Sequence, residues 1–121
     1  MPSLADVDIT EIEEIWHQTF TIDVRGEEED HKFHYFGSDL ISVYGQDLTG
    51  LEMQEAMNDI MINNTMGFYE DVLKTGQPQS QSSEFFMNDK EVRYRSIILP
   101  LSSNGVEIDF VFGTSNYKIF D

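Results

Sequence analysis

The segment VRYRSIILPLSSNGVEIDFVFGT, residues 92–114, decides the fold. Two apolar runs flank Asn104-Gly105, and this dipeptide favours a two-residue hairpin turn because both of its residues tolerate positive φ. A two-residue loop at this point predicts the register of the hairpin. In that register the cross-strand pairs are Leu101 with Ile108, Leu99 with Phe110, and Ile97 with Phe112. Six apolar side chains then share one face of the hairpin, and we expect this face to pack on the core.

Three further strands are predicted around this hairpin from alternating apolar residues and turn residues. Residues 79–87 form a strand that ends at the turn Asn88-Asp89-Lys90. Residues 19–25 and 32–36 form an earlier hairpin, closed by the acidic turn 26–30. We interpret that turn as a solvated tip, because it lacks the alternating Asp/Asn ligands of an EF-hand. Together the chain supplies five antiparallel strands.

Helical patterns fill the remaining segments. Residues 8–17 are predicted to form an amphipathic helix with a capping box at Asp8 and Glu11. Its apolar stripe consists of Ile9, Ile12, Ile15 and Trp16. Short helices are expected over 38–44, 51–58 and about 62–76. The order predicts an α+β fold, with a five-stranded antiparallel sheet, short helices on one face, and an additional N-terminal helix.

Composition limits the possible functions. The chain of 121 residues has the length of one domain, carries a formal net charge of −16, and contains no cysteine. Such negative charge disfavours binding to nucleic acid or to anionic membranes. No apolar run reaches the about 18 residues of a membrane span, and no secretory signal is visible, so we expect a cytoplasmic protein. Residues 1–30 hold ten of the 23 acids and a single base, so a partner of residues 6–30 should present a basic surface.

Four strings carry a family resemblance: WHQTFTIDV (16–24), FGSDL (36–40), YGQDLTG (44–50) and RYRSIILPL (93–101). With the order of elements, they resemble PAS (Per-Arnt-Sim) sensor domains, in particular the stand-alone bacterial branch. The resemblance covers nearly the whole chain. It implies a single PAS domain over 1–121, with a flanking helix at 1–17 and a PAS core at 18–121. It also implies a non-catalytic sensory or adaptor role in bacterial signal transduction through protein–protein contact.

The resemblance also indicates which PAS chemistries the residues permit. A covalent flavin adduct of the light-oxygen-voltage type and a thioether-linked chromophore both need a cysteine, so both are excluded. Haem-binding PAS domains usually place an axial histidine on the helix predicted here at about 62–76, which has none, so haem is not expected. Non-covalent flavin and small organic ligands stay open, and the identity of any cofactor is unknown. No local pattern indicates a metal site or catalytic residues.

Candidate pocket residues combine three phenols, two flexible thioethers, one cation and one phenyl ring. They are Tyr35, Tyr44, Met57, Met61, Tyr69, Arg95 and Phe110. Arg95 shares strand parity with Ile97 and Leu99, so we expect it to point to the core face. There it would anchor an anionic ligand, or form a rim ion pair with a carboxylate such as Glu84 or Asp47.

Three functions therefore remain open. The first is a PAS adaptor that forms a homodimer through the N-terminal helix, with dimer or partner contacts at Ile9, Ile12, Ile15 and Trp16. The second is a dedicated sensor of a small ligand, including an anionic metabolite. The third is a small isomerase or hydrolase on a cone-like α+β fold, although the order of elements argues against that class.

Overall fold

One five-stranded antiparallel sheet organises the protein, as the computed structural model of residues 13–120 describes it. The strands are β1 (Thr19–Asp23), β2 (Lys32–Phe36), β3 (Gln79–Met87), β4 (Lys90–Leu101) and β5 (Phe110–Phe120). Their order across the sheet is β2-β1-β5-β4-β3, so the first and last strands of the chain pair at the centre. The predicted α+β class and the five antiparallel strands are confirmed.

Four short helices cover one face of the sheet. They are α1 (Ser38–Tyr44), α2 (Met53–Ala56), α3 (Ile60–Met66) and α4 (Tyr69–Thr75). The helix predicted at about 62–76 is two helices. They divide at Gly67. A Cβ at this position would lie only 2.5 Å from the carbonyl oxygen of Asn63 in the last turn of α3. Helices α1 and α4 end at Gly45 and Gly76, both in the left-handed conformation that favours glycine.

The N-terminal helix is described only in part. Residues Glu13–Gln18 form a 3-10 helix rather than the α-helix predicted for 8–17. Ile9 and Ile12 lie outside the described residues. Ile15 and Trp16 lie within them, and Trp16 packs on the face of the sheet opposite the four α-helices. A second 3-10 helix, Glu28–Asp30, forms the acidic turn between β1 and β2.

The register predicted for the β4–β5 hairpin is wrong by two residues. Leu99 pairs with Phe112 and Leu101 pairs with Phe110, while the loop between the strands spans residues 102–109. Asn104 does not complete a two-residue turn, because its side-chain Oδ1 accepts hydrogen bonds from the backbone N–H groups of Val106 and Glu107. This side-chain bonding replaces cross-strand pairing and lengthens the loop.

A two-residue turn with two positive φ angles occurs instead between β3 and β4. Asn88 and Asp89 have φ of 53° and 64°, and Met87 pairs with Lys90 on either side of them. These are the backbone signs of the type I′ turn, whose twist matches that of the flanking strands. The β3–β4 register is therefore set by Asn88-Asp89.

The assignment of the core face is also corrected. Alternate residues of β4, including Ser96 and Ile98, are buried on the helix-covered face, and Ile98 belongs to the main core with Val111 of β5. Leu99 and Leu101 point to the opposite face. The sequence prediction inverted the two faces because both parities of this hairpin are apolar near the loop, so alternation alone does not distinguish them. We call the helix-covered face the inner face and the other the outer face.

The centre of the sheet is closely packed at β1 and β5. Phe20 of β1 is fully buried and lies across Gly113 of β5. A Cβ at Gly113 would lie 2.3 Å from the Phe20 ring, so glycine is required here by space. The two strands thereby bring the N-terminal 3-10 helix and the β4–β5 hairpin into contact.

Candidate functional site

The outer face carries an apolar patch that the helices α1–α4 do not cover. Leu101, Phe110 and Phe112 form a buried cluster, against which Leu99 and Trp16 pack. We call Leu99, Leu101, Phe110 and Phe112 the outer patch. The Trp16 ring covers it and stacks on Tyr35 of β2, with ring centroids 4.4 Å apart and planes 21° apart. Trp16 therefore acts as the cover of an otherwise open hydrophobic surface.

Hydrogen bonds hold the 3-10 helix that carries Trp16. The Thr19 hydroxyl donates to the Ile15 carbonyl at 2.7 Å, and the His17 Nδ1 lies 2.9 Å from the Ser38 hydroxyl. Gly37 lies so close below the helix that a Cβ there would be 2.4 Å from the His17 carbonyl oxygen. These contacts fix the position of Trp16, while 37% of Ile15 is left exposed beside it.

An ion pair covers one end of the outer patch. Arg25 donates two hydrogen bonds to the carboxylate of Asp23, at 2.8 and 3.0 Å, and its guanidinium carbon lies 5.0 Å from the centre of the Phe110 ring. The pKa of Asp23 is lowered, mainly because Arg25 donates these hydrogen bonds to its ionised form. Phe110 was predicted as a pocket residue, but it lies here, on the outer face.

Basic side chains occupy the other end of the outer face. Arg93 pairs across the strands with Lys118, and Arg95 lies two residues further along β4. All three side chains are exposed. The expectation that Arg95 points to the core was wrong, because Arg95 shares its face with the outer patch and its neighbour Ser96 is the buried residue.

The inner face contains a cluster of buried hydroxyl groups. The phenol oxygens of Tyr44 on α1 and Tyr117 on β5 are 2.7 Å apart. Both approach the Thr65 hydroxyl on α3, at 3.0 and 3.2 Å. Thr65 in turn donates to the Met61 carbonyl at 2.7 Å. Burial raises the pKa of Tyr44 and of Tyr117, so both phenols stay neutral and bond as hydroxyls.

Polar groups continue from this cluster along the inner face. The Ser96 and Ser115 hydroxyls are 2.7 Å apart across β4 and β5. The Tyr94 hydroxyl donates to the Asn64 carbonyl at 2.7 Å, and the Gln81 amide donates to Tyr94. Sequence analysis missed these residues, although the alternation of Tyr and Ser at 94, 96, 115 and 117 was a signal that one face of the hairpin is polar.

The seven predicted pocket residues do not form one pocket. Tyr44, Met61 and Tyr69 lie on the inner side, with Met57 half-buried beside the core. Tyr69 is buried, its hydroxyl lies 3.3 Å from His31 Nδ1, and burial raises its pKa. Tyr35, Arg95 and Phe110 lie on the outer side. The fold therefore places four of the seven residues on the inner side of the sheet and three on the outer side.

An open cleft of about 290 Å³ adjoins the hydroxyl cluster where α1 meets β5. Ser115, Asn116 and Tyr117 line its β5 side, and Asp39 and Ser42 line its α1 side. Its lining supplies hydroxyl, amide and carboxylate groups. The cleft is therefore suited to a small polar molecule better than to an anion.

Metal-binding clusters and membrane-spanning helices are both absent from residues 13–120. No group of three or more histidine and acidic side chains in this part of the chain is placed to hold a metal ion. None of its helices has the length and apolar content needed to cross a membrane.

Comparison with known proteins identifies the fold. No protein-family model matches the chain, and no curated protein matches it. Three solved structures with similar folds are all light-oxygen-voltage (LOV) domains. One, studied with a flavin analogue, is 10% identical, with 91% of this chain and 83% of that chain covered and a TM-score of 0.64. The Rhodobacter sphaeroides LOV protein is 13% identical, with 92% and 68% covered and a TM-score of 0.59. The light state of the blue-light photoreceptor Aureochrome1 LOV is 9% identical, with 93% and 89% covered and a TM-score of 0.60. LOV domains have the PAS fold, and this chain has the PAS fold.

The hydroxyl cluster predicts how stability depends on pH. Tyrosines in the unfolded chain ionise near pH 10, whereas burial keeps Tyr44 and Tyr117 neutral in the fold. Because their pKa values are raised on folding, stability is full below about pH 10 and falls as the pH rises beyond it. In a titration followed at 295 nm and by circular dichroism, these two phenols should ionise together with unfolding.

Two tyrosine-to-phenylalanine variants test the contribution of the hydroxyl cluster to stability. Tyr117→Phe should lower the free energy of unfolding at pH 7 by about 1 kcal/mol, because Tyr44 loses its closest hydroxyl partner. Tyr35→Phe is the control, since its hydroxyl makes only a 3.5 Å contact with the Trp16 carbonyl oxygen. Ionisation of all five tyrosines near pH 10 in a folded protein would contradict the account.

Proposed function

We propose that this chain is a non-catalytic PAS sensory or adaptor domain of bacterial signal transduction. It acts in the cytoplasm by protein–protein contact and forms a homodimer through its N-terminal segment. The single observation that carries this proposal is the outer patch, a hydrophobic surface on the helix-free side of the sheet that only Trp16 and the Arg25–Asp23 pair cover among the residues that the structure describes. The LOV neighbours support a sensory role by analogy of fold.

The exposed neighbours of the outer patch favour a protein partner. Ile97 follows Leu99 along the same face of β4 and is 44% exposed, and Ile15 lies exposed beside Trp16. The predicted apolar stripe continues from Ile15 to Ile12 and Ile9. An apolar surface of this kind on a highly charged protein is typical of a contact site.

The hydroxyl cluster favours a non-catalytic role. The groups that hydrogen-bond to Tyr44 and Tyr117 are hydroxyls, and burial holds both phenols in the neutral form. A cone-like isomerase or hydrolase would need a base or nucleophile beside its reacting atoms. The hydroxyl cluster supplies neither group, and the element order is that of the PAS fold.

Measurement of mass in solution tests the homodimer. We expect the full chain to have twice its monomer mass of 14.0 kDa by light scattering. Ile9→Ser/Ile12→Ser/Ile15→Ser should reduce it to the monomer mass, because the substitutions remove the apolar stripe and keep Trp16 on the outer patch. Circular dichroism should show an unchanged fold.

The control is Ile60→Ser, which removes an isoleucine that is 55% exposed on α3, on the other side of the sheet. It should leave the dimer intact. A triple variant that stays dimeric would remove the N-terminal segment from the interface, and a monomeric wild-type chain would overturn the homodimer itself.

A second candidate function is a sensor of a small ligand at the inner face. The hydroxyl cluster and the adjoining cleft favour it, because they offer several hydrogen-bonding groups beside a half-open cavity. An anionic ligand has less support, because Arg95 lies on the outer face and Asp39 lines the cleft. A neutral polar ligand fits the cleft better.

Native mass spectrometry of the purified protein tests this second candidate. A co-purifying small molecule should leave the protein on Tyr117→Phe/Ser115→Ala, which removes two hydroxyls at the cleft. Arg95→Ala should leave it bound. A ligand lost from Arg95→Ala and retained by the cleft variant would place binding on the outer face.

A further inference from the structure

Three of the seven basic residues of this acidic protein are neighbours on the outer face. Arg93, Arg95 and Lys118 are exposed on β4 and β5, and we call them the cation ladder. Arg93 and Lys118 are direct cross-strand partners, a like-charge pair that weakens a sheet. Both cations lie over the Phe120 ring, at 4.7 and 5.6 Å from its centre, so the fold keeps positive charge together at this end of the outer face in a chain of net charge −16.

Part of the cation ladder lacks a carboxylate partner. The Nε of Arg93 lies 3.2 Å from Glu91 and 3.6 Å from Glu84. Among the side chains that the structure describes, 15–86 and 88–120, Arg95 makes no ion pair. The next residue on its face is Ile97, which is exposed, and Leu99 of the outer patch follows. The outer face thus changes from basic to apolar along one strand.

The N-terminal sequence has the complementary pattern. Residues 6–14 contain five acids and no base, and their isoleucines fall between the acids. The acids are Asp6, Asp8, Glu11, Glu13 and Glu14. A surface that combines cations with an exposed isoleucine matches such a segment in both charge and hydrophobicity.

The position of Trp16 favours a second copy over the same copy. Thr19 of β1 lies opposite Thr114 of β5, with Phe112 and Phe110 on one side of Thr114 and Lys118 on the other. Trp16 packs against the cluster that contains Phe112 and Phe110. The Trp16 ring therefore lies at the apolar end of the outer face, on the far side of Thr114 from the cation ladder of its own copy.

We propose that the cation ladder and Ile97 bind the acidic segment 6–14 of a second copy of this chain. The proposal rests on the proposed homodimer and gives it a surface. Each copy contributes one acidic segment and one ladder, so the dimer contains two identical contacts that are related by a two-fold axis. The basic partner expected for the acidic N-terminus is then the protein itself.

Charge exchange between the two surfaces is the test. Arg95→Glu/Lys118→Glu makes the ladder acidic, and Asp6→Lys/Asp8→Lys/Glu11→Lys makes the segment basic, because three lysines then face only Glu13 and Glu14. Each variant alone should raise the dimer dissociation constant about tenfold or more, because each places like charges together. An equimolar mixture should restore the dimer, because both of its contacts again join opposite charges. Light scattering at a fixed ionic strength measures all of these species.

The control is Gln54→Glu/Asn58→Glu/Lys74→Glu, which changes the net charge equally at exposed positions on the helix-covered side of the sheet. It should dimerise like the wild type. An Arg95→Glu/Lys118→Glu variant as dimeric as this control would overturn the proposed surface and leave the homodimer standing. A mixture that stays monomeric would overturn exchange between copies. A monomeric wild-type chain would overturn the homodimer and this inference together.

Discussion

Burial of the first strand on both faces is the constraint on which the structure depends. All five residues of β1 are buried, including the polar Thr19, Thr21 and Asp23 on the outer face. Helices cover the inner face, but the outer face needs another cover, and the chain supplies it with Trp16 and the Arg25–Asp23 pair. The N-terminal 3-10 helix is therefore part of the fold. Its Trp16 both stabilises the sheet and limits how much of the outer face a partner can reach.

The sequence predicted the elements of this fold better than their pairing. The positions of β1 to β4 followed from local alternation and turn residues, whereas β5 (Phe110–Phe120) begins and ends later than the strand predicted after Asn104-Gly105, at 106–114. The PAS resemblance predicted the arrangement that the structure confirms. The β4–β5 register could not be predicted, because the side chain of Asn104 accepts hydrogen bonds from backbone N–H groups of its own loop. The tight two-residue turn forms instead at Asn88-Asp89, between β3 and β4. The two faces of the β4–β5 hairpin were assigned the wrong way round, because the outer patch is as apolar as the core. This occurs because the centre of the sheet is buried on both faces.

In the candidate sites too, local sequence patterns identified single residues but not their partners far away in the sequence. Trp16 was predicted as a contact residue from helical spacing, and it lies on the outer face, although the interface itself stays a proposal. Tyr44 was predicted as a pocket residue, but its partners Thr65 and Tyr117 are 21 and 73 residues away, and no local pattern connects them. Arg95 was misplaced by the face assignment, and its exposure makes it a candidate for contact with another molecule.

If the outer face is the contact surface of the dimer, a thiol introduced on that face is shielded by the second copy. The chain has no cysteine, so Ile97→Cys would provide the only reactive thiol. Its labelling rate is measured above the dimerisation concentration, with and without serine at Ile9, Ile12 and Ile15. We expect slow labelling of the dimer that becomes several-fold faster when the isoleucines are replaced. Equally fast labelling in both proteins would contradict it.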